Sequence, residues 1–266
     1  MTVRRFLRTP KGLTLIILVM LTLPAAWNEG LRLVAPGLAS AVGAAILLDA
    51  MMLRIRRGRW TFPTGALLTG LIVATILTPQ EPWYVAAITA VVGVASKYLL
   101  RVRTANLFNP AALALVATFY LFHTGQSWWG ALSELTPWAL TLLVATGVFI
   151  SLRINKMPVV LAFLGSYYLL ATIAAFVGDP AHVAELYRAP DLHAALYFAF
   201  FMVTDPPTSP PKHRDQVIFG VIVAVTGFAV FEFVGAAYFL LAGLLVGNSW
   251  EGWRRWRSRT VAAHTP

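Results

Sequence analysis

The sequence predicts an all-α fold, a polytopic integral membrane protein with ten transmembrane helices in two inverted five-helix repeats. The first observation behind this prediction is composition: 58% of the 266 residues are hydrophobic and only 12% are charged. Soluble chains ordinarily carry about 25% charged residues, so this chain lacks the polar groups to cover a soluble globule. The other two observations are the number of apolar segments and the placement of the basic residues.

The apolar segments are long enough to cross a bilayer. A hydrocarbon core about 30 Å thick requires about 20 mostly apolar residues per spanning helix. Ten segments are predicted to span: 12–28, 31–53, 62–79, 82–100, 107–123, 136–153, 157–177, 191–205, 216–231 and 234–249. Residues 1–266 are therefore predicted to form a single membrane domain, with 12–123 as the first five-helix repeat and 136–249 as the second.

The basic residues predict the orientation of these spans. All but two of the 21 Lys and Arg residues fall on one side of the ten-span topology, and the two exceptions are Arg32 and Arg188. Cytoplasmic loops hold the excess of Lys and Arg, so both termini are predicted to be cytoplasmic. The net charge of +10 is thus a topological signal, with contact to acidic lipids as a consequence. It does not predict nucleic-acid binding.

The first segment has a second interpretation. Basic residues from Arg4 to Lys11, an apolar stretch over 13–23 and then Pro24-Ala25-Ala26 are also typical of a cleaved secretory signal peptide. Cleavage would leave nine spans and an external N-terminus. A retained helix is favoured because ten spans complete two repeats of five.

Two pairs of short motifs share one offset of 126 residues, which indicates an internal repeat. At this offset Thr78 falls on Thr204, and Asn109–Leu113 falls on Gly235–Phe239. Repeats with an odd number of spans are inverted relative to each other, an arrangement common in transporters.

Prolines accompany both members of the first pair and one of the second, at Pro79, Pro206 and Pro110. Proline removes an amide donor and biases the preceding residue away from helix. Open backbone at membrane depth must be covered by protein or line a water-filled cavity. Segments three and eight are therefore predicted to be short or half-inserted elements that meet near the midplane, with Asp205 at an inward-facing end. The alternative is that these prolines lie in ordinary loops at the membrane surface.

Five motifs, taken together in their order, resemble a known family: Gly65–Gly70, Leu77–Pro79, Lys97–Leu99, Asn106–Ala111 and Phe201–Pro206. The family contains the membrane D subunit of Rnf-type electron transport complexes and the B subunit of the sodium-translocating NADH:quinone reductase. The resemblance implies a flavin held within two inverted repeats, and electron transfer across the membrane coupled to ion movement. It also implies a bacterial inner-membrane location, in contact with lipid and with other membrane electron-transport subunits. The residues that it marks for cofactor binding are Thr69, Gly70, Thr78, Pro79, Lys97, Phe108, Asn109, Pro110, Thr204, Asp205 and Pro206.

One departure from the family lies in the outer loop after the fifth span. Family members carry flavin mononucleotide (FMN) covalently on the threonine of an SGAT-type motif there, whereas residues 123–131 of this chain read HTGQSWWGA. We therefore expect any flavin, either FMN or riboflavin, to be bound noncovalently. The chain contains no cysteine, which excludes disulfides, thiolate metal sites and cysteine-ligated iron–sulfur clusters. No residue is predicted to be catalytic or to ligate a metal.

The predicted function is that of an integral membrane subunit in a flavin-dependent, ion-coupled electron-transport system, not of a stand-alone enzyme. The alternative is a channel or transporter for a small neutral solute or a flavin, using the cavity of the same inverted-repeat fold. A third possibility is an accessory subunit with an empty site.

The remaining polar and aromatic residues are given structural roles. Asp49 is expected to pair with Arg54 or to lie in the interface, and Lys97 either reaches the cytoplasmic surface or serves the site. His182 and His193 are assigned to a solvated outer loop, because their spacing matches no compact metal motif, and haem ligation is disfavoured. Interfacial belts are expected to hold Trp83, Trp128, Trp129, Trp138, Trp250, Trp253 and Trp256.

Overall fold

The computed structural model describes residues 9–58, 60–102, 105–133 and 137–263, with side chains described as far as residue 257. Within these ranges the chain is predominantly helical, which confirms the all-α prediction. Several residues used to predict the orientation lie outside the described parts, namely Arg4, Arg5, Arg8, Arg59, Arg103 and the side chain of Arg259.

Five helices form the first half of the chain: α1 (Pro10–Glu29), α2 (Leu31–Arg57), α3 (Thr64–Ile76), α4 (Trp83–Leu99) and α5 (Pro110–Phe122). A short hairpin of two-residue strands, β1 (Arg101–Val102) and β2 (Ala105–Asn106), connects α4 to α5. This hairpin is a small departure from the purely helical prediction.

The second half begins after a 3₁₀ turn at Trp129–Ala131 and contains a second such turn at Glu185–Tyr187. Its helices are α6 (Pro137–Arg153), α7 (Met157–Val177), α8 (Pro180–Ala184), α9 (Asp191–Phe201), α10 (His213–Val234) and α11 (Phe239–Ala263). The five-residue α8 lies where the sequence predicted only a loop. It forms because Asp179 caps it, accepting a hydrogen bond of 2.8 Å from the Ala181 amide.

Helix lengths fall into two groups. By length and composition, α1, α2, α7 and α10 can cross a membrane, whereas α3, α4, α5, α6 and α9 are apolar but shorter, with 11 to 17 residues. At 1.5 Å per residue, the 13 residues of α3 and the 11 of α9 extend only about 20 and 16 Å. The prediction that segments three and eight are short is confirmed. Their meeting near the midplane stays a prediction.

Two predicted segment boundaries differ from the helices. Segment eight was predicted to reach residue 205, but α9 ends at Phe201, before Pro206 and Pro207, which cannot supply helical amides. Segment ten was predicted over 234–249, but α11 starts at Phe239 and continues to Ala263. The later start follows from Gly235, whose φ of +65° ends α10 at Val234.

The main helix contacts recur in the two halves, although α3 packs against α4 and α5 whereas α9 packs mainly against α6 and α7. In the first half α2 packs most extensively against α4, and in the second α7 packs most extensively against α10. The last helix of each half packs on the helix before it, as α5 does on α4 and α11 on α10. The halves touch through α1 with α6 and through α5 with α11.

Glycines permit the closest helix contacts. A Cβ atom on Gly70 of α3 would lie 2.8 Å from the Ala41 carbonyl oxygen of α2, and one on Gly220 of α10 would lie 2.8 Å from the Val159 carbonyl oxygen of α7. Small residues at such positions let the backbones approach closely, which is how helices associate where no hydrophobic effect drives them together.

Candidate functional site

Asn109 organises the backbone of the family motif Asn106–Ala111. Its side-chain Oδ1 accepts hydrogen bonds of 3.1 Å from the amides of Ala111 and Ala112, so it caps α5, with Pro110 in the first helical position. Its own amide donates to Oδ1 of Asn248 in α11 at 2.7 Å. The cap thus ties the start of α5 to the last helix of the other half.

The family motif Phe201–Pro206 leads into a compact turn after α9. Thr204 donates its hydroxyl hydrogen to the Phe200 carbonyl at 2.5 Å, which satisfies an acceptor at the end of this helix. The Asp205 carboxylate accepts a 2.9 Å hydrogen bond from the Thr208 hydroxyl, and its carbonyl accepts from the Ser209 hydroxyl at 2.8 Å. Asp205 is therefore the organising residue of the turn.

Asn248 joins the two motifs. Its Nδ2 donates to the Thr208 carbonyl at 3.2 Å, while its Oδ1 accepts from Asn109, and Asn109 Nδ2 approaches the Met202 carbonyl at 3.4 Å. We call Asn109, Met202, Asp205, Thr208 and Asn248 the asparagine junction. The structure thus brings together Asn109, Pro110, Thr204 and Asp205, four of the residues that the resemblance marks, with half-buried Phe108 and exposed Pro206 alongside.

Two cations hold the turn from the far side. Lys156 Nζ donates to the Pro210 carbonyl at 2.5 Å and to the Ser209 carbonyl at 3.3 Å. Arg255 Nη1 donates to the Pro207 carbonyl at 2.7 Å. Burial lowers the pKa of the Lys156 ammonium to about 8, while the carboxylates of Asp205 and Glu251 act in the opposite direction.

Lys97 and Thr69 converge on one atom at the start of α3. The Gly65 carbonyl oxygen accepts a 2.8 Å hydrogen bond from Lys97 Nζ and a 2.9 Å bond from the Thr69 hydroxyl. Lys97 also interacts electrostatically with Asp205. Lys97 therefore holds the start of α3, while Gly70 of the same helix lies against α2.

Asp49 does not make the predicted pair with Arg54. Its carboxylate accepts a 2.6 Å hydrogen bond from the Tyr98 hydroxyl, and Arg54 donates to the Gly58 carbonyl at the end of its own helix. The pairing was wrong because sequence proximity along α2 did not show that α4 packs beside Asp49.

Thr78 and Pro79 lie beyond the other end of α3, about 20 Å from its start. There the loop after α5 completes the end of the short helix. The amides of Ser127 and Trp128 donate to the Ile76 carbonyl at 3.0 and 3.2 Å, and Trp129 Nε1 donates to the Ala74 carbonyl at 2.8 Å. Carbonyls that a short helix would otherwise leave open are therefore satisfied by this loop.

A recess of about 520 Å³ lies beside this loop. We call it the loop recess. It opens between the ends of α1 and α3, the loop and the start of α9. Its lining residues are Asn28, Glu29, Pro79, Gln80, Gln126, Ser127, Trp128, Ser133, Pro190, Asp191 and Ala194.

Polar atoms without partners concentrate at the loop recess. Both side-chain polar atoms of Gln126 and the Ser127 hydroxyl are buried and have no hydrogen-bond partner in the described structure, and the same is true of Thr124 in the same loop. Buried polar groups are nearly always paired. These atoms therefore leave hydrogen-bonding capacity unused beside the recess.

Sequence reasoning missed this group because it assigned Trp128 and Trp129 to an interfacial belt. They are only 7% and 3% exposed, so that assignment was wrong. Trp128 has a φ of +54°, a left-handed backbone conformation, and its ring packs edge-to-face with Tyr197 and Phe198. The assignment of exposed Trp83, Trp138, Trp253 and Trp256 to the surface agrees with the structure.

The histidines also differ from the expectation. His193 lies in the first turns of α9, only 6% exposed, with Nδ1 3.0 Å from the Ala131 carbonyl, so its assignment to a solvated loop was wrong. His182 is exposed, 3.4 Å from the Glu232 carboxylate. Within the described residues no group of three or more His, Asp or Glu side chains is placed to bind a metal ion.

Comparison with known proteins agrees with the family resemblance seen in the sequence. The sequence model of the NQR2, RnfD, RnfE family matches residues 5–139 and 125–249. The D subunit of the ion-translocating oxidoreductase complex of Shewanella amazonensis is 25% identical, over 78% of this chain and 80% of that protein. The D subunit of the proton-translocating ferredoxin:NAD(+) oxidoreductase complex of Clostridium ljungdahlii is 24% identical, over 67% of this chain and 68% of that protein.

A shorter match, to the D subunit of the ion-translocating oxidoreductase complex of Aliivibrio salmonicida, is 32% identical over 99 residues, which are 36% of this chain and 28% of that protein. The relatives are subunits of ion-translocating complexes, and the apolar helices of this chain include four with the length and composition of membrane spans. The family model covers most of the chain in its two matches. The protein is a membrane protein, and the chain belongs to the NQR2, RnfD, RnfE family.

Proposed function

We propose that the protein is a membrane subunit of an ion-translocating electron-transport complex and that it holds a flavin noncovalently in the loop recess. The observation that carries the cofactor proposal is the set of unpartnered polar atoms beside Trp128. Family membership supports the wider role, because the matched relatives are named as subunits of such complexes.

The proposal includes ten spans in two inverted repeats, with both termini in the cytoplasm. Its support comes from the order of the helices. The first residues of α6, α7, α9, α10 and α11 follow those of α1, α2, α3, α4 and α5 by 126 to 130 residues. The offset is 127 for the third pair and 129 for the fifth, so the ungapped alignment of Asn109 with Gly235 does not match the helix starts. The order of the helices is nevertheless repeated, as are the α2–α4 and α4–α5 contacts, which correspond to α7–α10 and α10–α11.

The loop recess fits a flavin in size and chemistry. Small-molecule sites typically enclose about 300–1,000 Å³, and this recess measures about 520 Å³. Gln126 has a buried, unpaired amide donor and acceptor, which would match the imide edge of an isoalloxazine ring once the side chain turns into the recess. Trp128 supplies an aromatic wall held in place by Tyr197. A bound flavin would supply the electron-accepting and electron-donating chemistry that the side chains lack.

The eleven residues that the resemblance marks then divide between two roles. Pro79 lines the recess, and Thr78 holds the loop through its 3.1 Å amide bond to the Gly125 carbonyl. Of the remaining nine, Gly70 packs against α2. The other eight lie in or beside the asparagine junction or near the start of α3. We propose that Asp205, an ionisable group among these helix ends, acts on the coupling ion.

The visible spectrum of purified, detergent-solubilised protein tests the cofactor proposal. We expect about one flavin per chain, with absorbance that bleaches on addition of dithionite and flavin fluorescence that stays in the supernatant after acid precipitation. Gln126→Leu should lower the flavin content, whereas Gln80→Leu, the same substitution at an exposed residue of the recess, should lower it less. Colourless protein purified together with its partner subunits would refute flavin binding, and fluorescence in the acid pellet would refute noncovalent attachment.

The alternative function is a channel or transporter for a small neutral solute or a flavin. The open form of the recess and the absence of the SGAT threonine favour it. Proteoliposomes distinguish the two functions, because a transporter would move riboflavin across the membrane without a redox partner.

In membranes that hold the whole complex, Asp205→Asn should lower the ion-coupled electron-transfer rate severalfold, and Asp49→Asn should lower it less. Equal, negligible effects would contradict the role given to Asp205.

A further inference from the structure

We propose that the exposed side of α11 binds the headgroup of one anionic phospholipid, held by Arg257 and Trp253. This side consists of Val246, Ser249, Trp253, Trp256 and Arg257, and we call it the α11 stripe. Binding of a lipid here does not depend on the cofactor. The net charge of the chain predicts only a general attraction to acidic lipids, whereas the α11 stripe provides a specific site.

The α11 stripe is one continuous side of the helix. Its five members are the exposed residues of α11 from residue 239 to residue 257, and they follow one another at spacings of three, four, three and one residues. Side chains three or four residues apart lie on the same side of a helix. Asn248 and Glu251, which lie between them in the sequence, are buried against the rest of the protein.

The order of residues along the α11 stripe matches the layers of a bilayer leaflet. Apolar Val246 comes first, then Trp253 and Trp256, which are 51% and 60% exposed, and then Arg257. From Val246 to Arg257 the helix rises about 17 Å. Tryptophan is enriched where hydrocarbon meets water, and basic residues follow beyond it. A surface for a protein partner requires no such order, so the α11 stripe favours lipid.

The arginines on the inner side of α11 are paired within the protein. Glu251, only 1% exposed, accepts 2.7 Å hydrogen bonds from Nε of Arg254 and Nε of Arg255. Arg254 also donates to the carboxylate of Asp215, in the first turn of α10, at 2.7 Å. These charge-assisted bonds fix the rotation of α11 about its axis, so that the α11 stripe faces outward.

Arg257 has the opposite arrangement. Its guanidinium carbon lies 4.7 Å from the ring centroid of Trp253, a cation–π contact, and it forms no ion pair with a carboxylate among the residues that the structure describes. A stacked guanidinium can still donate two parallel hydrogen bonds from its edge to a phosphate group. A zwitterionic headgroup carries a cation that offsets its phosphate, so Arg257 should prefer an anionic lipid.

Native mass spectrometry of the purified protein, with an equimolar mixture of phosphatidylglycerol and phosphatidylcholine, tests the site. We expect phosphatidylglycerol to be bound at least about fivefold more often than phosphatidylcholine. Arg257→Gln should lower this preference about fivefold, which is the effect of one basic residue at an anionic surface, and Arg257→Lys should keep part of it. Trp253→Leu should lower it about two- to fivefold, through loss of the cation–π contact.

Two control variants separate a specific site from diffuse charge. Arg153, at the end of α6, is exposed and lies on the same side of the membrane as Arg257 in the predicted topology, so Arg153→Gln removes the same charge and should leave the preference unchanged. Trp138→Leu, at an exposed residue on the other side, should also leave it unchanged. Because all the changed side chains are exposed, the variants should fold.

Four results would overturn the lipid site. The first three are equal binding of the two lipids, an effect of Arg153→Gln as large as that of Arg257→Gln, and displacement of phosphatidylglycerol by millimolar inorganic phosphate, which would indicate a site for free phosphate. The fourth comes from a photoreactive benzoylphenylalanine at position 256, in membranes that hold the whole complex. We expect it to crosslink to lipid, and a crosslink to another subunit would assign the α11 stripe to a protein partner.

Discussion

Asn248 is the residue that connects the most distant parts of the chain. It is fully buried, accepts a hydrogen bond from the Asn109 amide and donates one to the Thr208 carbonyl. The two partners lie 99 residues apart in the sequence. A single side-chain amide can satisfy both because it carries a donor and an acceptor on one planar group.

Asn248→Leu is predicted to destabilise the protein. The substitution keeps the branching of the side chain at Cγ but leaves the Asn109 backbone amide and the Thr208 carbonyl without partners, at a cost of about 1–3 kcal/mol for each buried group. Denaturant unfolding in mixed micelles should show the loss. The neighbouring Ser249 is exposed, so Ser249→Ala serves as the control and should change the unfolding free energy by less than about 0.5 kcal/mol. Equal stabilities of the two variants would contradict the role given to Asn248.

The prolines show which features of the helix ends are local. They correctly marked the places where helices begin or end, at Pro79, Pro110 and Pro206. Their partners could not be read from the sequence, because a hydrogen-bond acceptor such as the Ile76 carbonyl can be satisfied by any donor that the fold brings near. The loop amides of Ser127 and Trp128 were found only in the tertiary structure.

At the scale of elements, close packing between helices depends on glycine. Gly220 of α10 lies against the backbone of α7, where an added Cβ atom would come within 2.8 Å of the Val159 carbonyl oxygen. Gly165 of α7 has open space around it. The same substitution at these two positions therefore separates packing from helix propensity.

Gly220→Ala is predicted to destabilise the α7–α10 pair by about 1–3 kcal/mol, as overpacking typically does. Gly165→Ala should be neutral or stabilising by at most about 1 kcal/mol, because alanine is the better helix former. Thermal unfolding in detergent, followed by circular dichroism, measures both effects. If Gly220→Ala matched Gly165→Ala, the close approach of α7 and α10 would be refuted.

The short elements α3 and α9 illustrate how a helix can end inside a bundle. The loop after α5 supplies donors to the last carbonyls of α3, and the turn around Asp205 supplies hydroxyl and amide donors below α9. Thr75 of α3 and Tyr197 of α9 approach each other to 3.1 Å between hydroxyl oxygens. Short helices that would be costly alone in a membrane are thereby covered by protein.

For the whole molecule, the distribution of basic residues predicts the topology. A C-terminal fusion to green fluorescent protein should fluoresce, because that end is predicted to be cytoplasmic. Alkaline phosphatase inserted into the segment 178–190 should be active, because that loop is predicted to be external. An active phosphatase at the C-terminus would contradict the orientation, and the mass of the intact mature chain would show whether the first helix is retained.

The fold class and the order of the helices followed from the sequence. Spanning helices need long apolar runs whatever their neighbours are, and proline and glycine end a helix through local sterics. For the same reason the two family motifs, each a local backbone pattern, could be located and named as candidates from the sequence alone.

The tertiary structure alone decided what those residues contact. It placed Tyr98 beside Asp49, turned Trp128 and His193 inward, and located the loop recess where the sequence departs from its family. Aromatic residues look alike in sequence whether they face lipid or a pocket, since burial depends on which helices are neighbours. The sequence therefore determined a membrane bundle in which prolines mark two helix ends. Only the packing of the helices decided that the end near Asp205 is held by the asparagine junction and that the end near Pro79 borders the loop recess.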